Sequence, residues 1–216
     1  MTRQSAGESR VLWGASTIRT LRAIWAAEEV GIDYQHRKIG PRTGETQTPE
    51  YGQLNPKRKI PLLVEGDFRL SESVAICNYL FEKYGNKEAF LLPRTARERA
   101  WHDQWCSFIL GELDETSLYV IRRHDSLAYI YGESSIAVES AKQYFAKQLD
   151  AACELLSGAY VMGARFSVPD ILLTSCLEWA RLYGMPIPPR LEGYRQRIVT
   201  RQSYVRAKRI NQVDKR

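Results

Sequence analysis

The segment at residues 55–76, which reads NPKRKIPLLVEGDFRLSESVAI, constrains the fold more than any other part of the sequence. Its apolar run at 61–65 begins with proline and is separated from a second short run at 68–70 by a Gly-Asp pair. Two apolar runs joined by such a pair predict a β-hairpin. Because proline cannot donate a ladder hydrogen bond, the first strand must begin where its N–H is not needed.

A helix is predicted directly after this hairpin. Ser71 is a favourable N-cap residue, and apolar side chains recur at helical spacing from there to Tyr84. Gly85 then provides a common helix stop. The polar pair Glu72-Ser73 therefore lies in the first turn of the predicted helix.

The residues upstream of the hairpin predict a βαβ unit. Short strands are expected at 11–14 and 34–39, with a helix at 17–30 between them. Two strands joined by such a crossover pair in parallel. The polar stretch at 40–54 is rich in Gly and Pro, and it predicts a loop with one helical turn after Pro49.

From residue 95 onward the strand signals end and helical periodicity takes over. Helices are predicted at 97–123, 135–156, 170–182, 190–199 and 204–211. Ser167 and Asp170 have the capping-box spacing at the start of the third of these helices. The predicted organisation is a disordered leader at 1–9, an α/β domain at 10–85, a linker at 86–94 and an all-helical domain at 95–216.

Composition limits the classes of function. With 44% hydrophobic and 26% charged residues, the chain has the composition of an ordinary globular protein. No apolar run approaches the ~20 residues of a membrane span, and the first residues lack the apolar stretch of a secretory signal, so we predict no membrane association and a cytoplasmic location. The net charge is +6, but no nucleic-acid-binding motif accompanies the basic C-terminal residues, so no nucleic-acid partner is expected.

Neither the cysteines nor the histidines predict a metal site. The four cysteines are widely spaced without a CxxC pair, and the three histidines form no ligand cluster. We therefore predict no metal cofactor, and free, mostly buried thiols in a reducing compartment.

Three segments together resemble a known family. They are LNPKRKIPLL at 54–63, EGDFRLSESVAICNYLFEKYG at 65–85 and RFSVPDILL at 165–173. A βαβ-ββα module whose third strand opens with proline is similar to the thioredoxin-like fold, and joined to a helical domain it resembles the cytosolic glutathione S-transferase family. The hairpin and helix most resemble the theta-like and bacterial branch, in which a Ser or Thr hydroxyl faces the glutathione sulfur.

This resemblance implies a glutathione site in the α/β domain. It implies a cis bond between Ile60 and Pro61, which leaves the N–H and C=O of Ile60 to pair with the cysteinyl unit of glutathione. It also places the γ-glutamyl group at Glu72 and Ser73. Glu72 would accept a hydrogen bond from the ammonium, while Ser73 and the helix N-terminus would bind the carboxylate. Lys59 is a candidate cation for the glycyl carboxylate.

One departure from the family pattern concerns this glycyl carboxylate. Related proteins often carry a basic residue in the loop before the Asn-Pro motif, whereas this loop reads GETQTPEYG. The nearest cations are Arg42 and Lys38. Either Lys59 and Arg42 bind the carboxylate, or the affinity for glutathione is modest.

The catalytic step requires a thiolate, because a free thiol of pKa about 8.5 is mostly protonated at neutral pH. A hydroxyl in ASTIR, residues 15–19, together with the N-terminus of the first helix, can stabilise it. Counted back from Gly31, the family's serine falls on Thr17, with Ser16 beside it. Thr17 is the first candidate and Ser16 the second, and either hydroxyl could instead serve only as an N-cap.

The resemblance therefore predicts a transferase typical of detoxification, which adds alkyl or aryl groups to its co-substrate glutathione. The thiolate would attack a hydrophobic electrophile held by the helical domain of a homodimer. Trp105, Phe108, Ile109 and Leu113 share one helix face there, but their spacing is more typical of a core, so none is given a role. Two alternatives stay open: a glutathione-dependent disulfide or peroxide reductase, and a noncatalytic ligand-binding protein of the same fold.

Overall fold

The computed structural model describes residues 9–212, which form two compact units. Of these residues, 9–84 and 202–212 form the first unit, and 85–201 form the second. The leader predicted at 1–9 lies, apart from Ser9, outside the described residues.

Strands and helices alternate at the start of the chain, and helices follow. The strands are β1 (Arg10–Trp13), β2 (Gln35–Arg37), β3 (Leu62–Glu65) and β4 (Phe68–Ser71). The helices are α1 (Ile18–Val30), α2 (Pro49–Leu54), α3 (Ser73–Tyr84), α4 (Ala96–Phe108), α5 (Tyr119–His124), α6 (Ala128–Tyr131), α7 (Ser135–Leu155), α8 (Val168–Leu182), α9 (Pro189–Val199) and α10 (Gln202–Ile210). A 3₁₀ turn at Glu45–Gln47 precedes α2, and a π-helical segment at Ile109–Leu118 joins α4 to α5.

The first unit is a thioredoxin-like α/β domain, which confirms the predicted fold class. Its sheet has the strand order β2-β1-β3-β4. β1 pairs in parallel with β2 and antiparallel with β3, and β3 pairs antiparallel with β4. The βαβ unit and the hairpin thus share one sheet.

Helix α1 is favoured by a capping residue at each end and by an apolar face that is buried. Thr17 is the N-cap, and Gly31 closes the other end in the left-handed conformation, with a φ of 70°. Ala23, Ile24 and Trp25 between them are fully buried. The helix packs against α3, so the apolar faces of both helices lie in the core of the unit.

The prediction that Ser71 caps α3 is wrong. Ser71 is the last residue of β4, where it pairs with Leu62, and α3 begins at Ser73. Glu72 makes the change of direction between strand and helix with a positive φ of 74°. The β-ladder extends one residue further than the apolar pattern indicated, because pairing with β3 takes up Ser71 before a helix can begin.

The second unit is a helical domain, as predicted. The continuous helix expected at 97–123 consists of α4, the π-helical segment and α5. The periodicity of apolar residues did not reveal this change, since Ile109 and Leu113 keep the four-residue spacing of an α-helix and only Leu118, which is also fully buried, departs from it. Helix α6 was not predicted; its four residues leave Tyr129 80% exposed, so it lacks the apolar face that marks a helix in the sequence.

The start of α8 has the predicted capping interaction. The carboxylate of Asp170 accepts hydrogen bonds from the amide and the hydroxyl of Ser167, at 2.8 and 2.7 Å. The amide of Val161 and the hydroxyl of Tyr194 also donate to this carboxylate, both at 2.8 Å. Asp170 is fully buried, so the four donors compensate for the loss of water around its charge.

Helix α10 packs with the first unit, whereas the sequence analysis assigned it to the helical domain. It lies along α1, where Tyr204 and Ala207 are buried and the Tyr204 ring meets Trp25 edge-on at 4.9 Å. The partners of these side chains are nearly two hundred residues away in the sequence, so local patterns could not reveal them.

Candidate functional site

The register of the sheet brings the predicted glutathione-binding segments to one end of the first unit. Trp13, the last residue of β1, pairs with Leu62, the first residue of β3. Leu62 pairs in turn with Ser71, the last residue of β4. The predicted catalytic and glutathione-binding residues all lie within four positions of these three residues, so they extend from the same end of three neighbouring strands.

Gly14 allows the turn after β1 to approach the other segments closely. Its φ is 112°, a conformation that residues with a side chain rarely adopt. A Cβ atom at Gly14 would lie 2.7 Å from Cβ of Ile60 and 2.7 Å from Cγ2 of Thr20. The turn that carries the candidate catalytic hydroxyls therefore packs directly beside the residue before the strand-opening proline.

Thr17 forms a reciprocal cap with Thr20. Its Oγ1 accepts a hydrogen bond from the amide of Thr20 at 2.9 Å, and the Oγ1 of Thr20 accepts one from the amide of Thr17 at 3.0 Å. A hydroxyl group has two acceptor positions and one proton to donate. Because capping uses only an acceptor position, Thr17 can cap the helix and still donate its proton to a sulfur atom.

Ser16 precedes the cap in a strained conformation. It is exposed and has a φ of 62°, one of four positive φ values at non-glycine positions among the described residues. Its amide donates to the backbone oxygen of Asn211 at 2.7 Å. Two of these four positions, Ser16 and Glu72, flank the candidate site, and strained residues often mark such sites.

The Ile60-Pro61 bond is cis. The residue before this step is held by two buried side chains, because the hydroxyl of Tyr51 and Nδ2 of Asn55 both donate to the backbone oxygen of Lys59 at 2.8 Å. Tyr51 and Asn55 are each only 3% exposed. These two positioning residues were missed by the sequence analysis, although Asn55 opens the segment on which it relied.

Glu72 and Ser73 lie where α3 begins. Ser73 is 6% exposed, whereas the side chain of Glu72 is 71% exposed. The carboxylate of Glu72 contacts Nζ of Lys57 at 2.6 Å, an ion pair that the sequence analysis did not foresee. An exposed carboxylate beside a helix N-terminus offers both an acceptor for an ammonium group and amide donors for a carboxylate.

The candidate cations for the glycyl carboxylate are all exposed. Lys59, Arg42 and Lys38 lie on the surface of the first unit, and Arg42 has a positive φ of 63°. Arg58 is engaged differently, since its guanidinium donates to the backbone oxygens of Gln47 and Thr48. The assignment of Lys59 or Arg42 to the glycyl carboxylate stays a prediction.

A half-buried histidine supports the turn from the side of β2. Nε2 of His36 lies 2.9 Å from the backbone oxygen of Gly14, which can only accept, so this nitrogen carries a proton. Burial lowers the pKa of His36, although this hydrogen bond opposes the effect. The ring is therefore neutral at physiological pH and acts as a support for the turn.

The remaining candidates are structural. In the helical domain Trp105 is 7% exposed, and Ile109 and Leu113 are fully buried, as expected of a core. Cys77, Cys106 and Cys176 are buried free thiols, as predicted. Burial raises the pKa of Cys106 to about 12, which keeps this thiol protonated.

Residues 9–212 contain no group of His, Cys, Asp and Glu side chains that could hold a metal ion. Within the same part of the chain, every helix is too short or too polar to cross a membrane.

Comparison with known proteins identifies the family. The family model described as glutathione S-transferase, N-terminal domain, matches residues 9–82, and the model described as glutathione S-transferase, C-terminal domain, matches residues 108–202. The chain belongs to the glutathione S-transferase family. The N-terminal matched region contains every candidate glutathione-site residue of this chain.

Curated relatives of this chain are themselves named for the family. Glutathione S-transferase F10 of Arabidopsis thaliana is 38% identical over 84 residues, which are 39% of this chain and 39% of that protein. A glutathione S-transferase of Triticum aestivum is 30% identical over 147 residues, which are 66% of this chain and 64% of the relative. The matches thus span less than two thirds of the length of either relative.

Solved structures of the family share the fold. The theta-class glutathione S-transferase of Xanthomonas axonopodis pv. citri, solved with glutathione bound, is 26% identical and has a TM-score of 0.75. The match covers 93% of this chain and 97% of that one. The resemblance to the theta-like branch thus extends to a glutathione-bound relative.

Proposed function

We propose that this chain is a glutathione transferase that binds glutathione at the end of the sheet where β1, β3 and β4 meet. The convergence of the turn after β1, the Ile60-Pro61 step and the start of α3 carries this proposal. Ile60 offers backbone groups to the cysteinyl unit, while Glu72 and Ser73 receive the γ-glutamyl head. Lys59 is proposed to bind the glycyl carboxylate.

Thr17 is the proposed donor to the glutathione sulfur. Lowering the thiol pKa by about one to two units requires ~1.4–2.7 kcal/mol. One hydrogen bond to a charged sulfur supplies ~1.5–3 kcal/mol. The N-terminus of α1 adds ~0.3–1 kcal/mol. The two contributions together suffice without a base or a metal ion.

The reaction that follows is a nucleophilic substitution or addition. The thiol proton passes to water, and the sulfur lone pair forms a bond to an electrophilic carbon of a small hydrophobic molecule. In a substitution, the bond from that carbon to its leaving group breaks, and the leaving group takes the electron pair. The family also supports a homodimer as the working form, which sedimentation at two protein concentrations would test.

Substitution of the two hydroxyl residues tests this mechanism. We expect Thr17→Ala to lower kcat/KM with an aryl halide by roughly 10²–10³-fold, the usual effect of removing one donor to a developing anion. Thr17→Ser should keep most of the rate, because it retains the hydroxyl, and Ser16→Ala serves as the neighbouring control. Unchanged turnover in Thr17→Ala would disprove the role of Thr17.

A second assay separates transferase from reductase activity. Each variant is tested with an aryl halide and with a glutathionylated disulfide under the same conditions. Faster turnover of the disulfide than of the halide by the unaltered protein would favour the reductase. No binding of glutathione in calorimetry would favour a noncatalytic protein of the same fold.

A further inference from the structure

The C-terminal end of α10 meets the turn that carries the candidate catalytic hydroxyls. The side-chain amide of Asn211, the residue after α10, spans the first turn of α1. Its Nδ2 donates to the backbone oxygen of Thr17 at 3.0 Å, and its Oδ1 accepts from the hydroxyl of Thr20 at 2.6 Å. The backbone oxygen of Asn211 accepts from the amide of Ser16 at 2.7 Å. One residue therefore contacts three successive parts of the turn.

The chemistry of the partners determines the orientation of this amide. The backbone oxygen of Thr17 can only accept, so the atom facing it must be Nδ2 of Asn211. The other atom, Oδ1, can only accept, so the hydroxyl of Thr20 must donate to it. The backbone oxygen of Thr17 also lies 2.9 Å from the Thr20 hydroxyl, but it already accepts from Nδ2 of Asn211 and from the amide of Leu21. Oδ1 of Asn211 is closer and would face another acceptor without this proton, so the single proton of the Thr20 hydroxyl is assigned to Asn211.

This assignment determines what Thr20 can do for Thr17. The two hydroxyl oxygens lie 3.0 Å apart, and with its own proton directed to Asn211, Thr20 can only accept from Thr17. The proton of the Thr17 hydroxyl is thus directed to a neutral oxygen. A thiolate is a stronger acceptor than a neutral hydroxyl, so the proton can turn to a bound sulfur when glutathione arrives.

Helix α10 is anchored so that Asn211 is held in place. Ser203 and the indole of Trp25 both donate to the carboxylate of Glu29. Further along α10, Nε of Arg206 lies 2.7 Å from Oε2 of Glu28. Together with the buried Ala207, these contacts hold α10 against α1 from Ser203 to Ala207.

We propose that Asn211 is a positioning residue for the catalytic hydroxyl, and that α10 serves to hold it against the turn. This inference rests on the proposed function, since Asn211 acts on glutathione only through Thr17 and Thr20. Helix α10, whose basic residues gave no indication of a function in the sequence, thereby becomes part of the support of the proposed glutathione site.

The first experiment compares Asn211→Ala with Gln212→Ala, the exposed neighbouring amide. We expect Asn211→Ala to lower kcat/KM by roughly 10–10²-fold, the scale of a misplaced catalytic group, with little change in the KM for glutathione. The rate should recover at higher pH, because the bound thiol ionises less readily without an ordered donor. Gln212→Ala should match the unaltered protein. Equal pH profiles in both variants would overturn the proposal.

Hydrogen exchange provides a measurement that does not depend on glutathione. The amides of Ser16 and Thr17 should exchange faster in Asn211→Ala, whereas the amides of β3 should be unaffected. Arg206→Ala is the control for loosening of the whole helix, since it removes a contact with α1 away from the turn. If Asn211→Ala leaves the exchange of Ser16 and Thr17 unchanged, Asn211 does not hold the turn.

A double-mutant cycle that combines Asn211→Ala with Thr20→Val keeps the proposal testable if either single variant has a folding defect. If the two side chains act as one unit, the double variant should lose little more activity than either single variant. Additive losses would contradict the proposed chain of hydrogen bonds. A protein that binds no glutathione but shows the faster exchange would disprove the proposed function and leave the support role of Asn211 intact. If the protein is an active transferase and Asn211→Ala has no effect, the proposed function stands and the support role of Asn211 is disproved.

Discussion

Helices α1 and α8 both begin with a residue pair of capping-box spacing, yet the two starts differ in where the protons lie. At α8 the hydroxyl of Ser167 donates a hydrogen bond to the buried carboxylate of Asp170. At α1 the hydroxyl of Thr17 faces a second hydroxyl, that of Thr20, across 3.0 Å. A hydrogen bond to a carboxylate is stronger than one to a neutral hydroxyl oxygen. The Thr17 hydroxyl can therefore be redirected to another acceptor more easily than the Ser167 hydroxyl can.

This difference separates a structural cap from the cap that is proposed to take part in catalysis. Asp170 is fully buried and closed by four donors, so it offers nothing to a ligand. Thr17 is only half-buried, and its donor capacity is directed to a replaceable partner. The same local motif therefore stabilises one unit and, in the other, leaves a hydroxyl free to take the proposed catalytic role.

The largest expected effect is on the stability of the helical unit. We expect Asp170→Ala to lower the free energy of unfolding by at least about 3 kcal/mol, because it leaves buried donors without an acceptor. Thr17→Ala should cost only ~1 kcal/mol, the usual value of a cap. Urea unfolding followed by circular dichroism would measure both. Equal losses would mean that the two caps do not differ in kind.

The next effect concerns the close approach of Gly14 to the α1 cap. Gly14→Ala should destabilise the protein by roughly 1–3 kcal/mol, since its Cβ would overlap Ile60 and Thr20. It should also lower glutathione turnover, because the turn can relieve the overlap only by moving Thr17. Thermal unfolding and the aryl-halide assay would check this in parallel. A fully active, fully stable Gly14→Ala variant would show that the close packing is not required.

The response to pH should distinguish the two units. Burial raises the pKa of Asp170 to about 6, although its hydrogen bonds oppose this rise. Because the folded state then holds a proton that the unfolded state has lost, the helical unit should lose stability as the pH rises from about 4 to 6. Asp170→Asn should abolish that slope. Hydrogen exchange of α8 peptides across this range would measure it.

The α1 cap itself has no ionisable group. In the same unit, the stability contributed by the buried carboxylate of Glu65 should respond to pH in the opposite sense to that contributed by Asp170. Burial raises the pKa of Glu65, but hydrogen bonds from Lys83, Tyr79, Tyr84 and Arg10 outweigh burial and bring it to about 2. The stability from Glu65 is therefore complete above about 4.5 and is lost as the pH falls toward 2. Exchange of β3 peptides should follow this trend, and Glu65→Gln should flatten it.

The smallest effect is expected from the ion pair that joins α10 to α1. Arg206 is 46% exposed, so Arg206→Ala should cost at most about 1 kcal/mol. Its turnover should stay close to that of the unaltered protein if burial of Tyr204 and Ala207 anchors the helix. A loss of turnover comparable to that of Asn211→Ala would show instead that the ion pair positions the cap.

Much of the fold was predictable because it depends on local patterns. The period of apolar residues indicated α1, α3, α7 and α8, and the Gly-Asp pair indicated the hairpin. The extra strand residue at Ser71 and the π-helical segment could not be predicted, because pairing and packing between distant segments decide both.

The residues of the candidate site also divide into those that local patterns indicated and those that they did not. Thr17, Glu72 and Ser73 stand out in the sequence because they adjoin predicted helix starts. Lys57 and Tyr51 were missed because the partners of their side chains, Glu72 and the backbone of Lys59, become neighbours only in the folded sheet.

The sequence by itself determined the α/β order, the caps of α1 and α8 and the proline at the start of β3, because each depends on residues within a few positions of one another. Tertiary structure alone decided that Asn211 lies against Thr17, 194 residues earlier in the chain. No local spacing encodes such a contact, since it arises only when α10 buries its apolar side chains against α1. The hydroxyl proposed for catalysis was thus visible in the sequence, and its support was not.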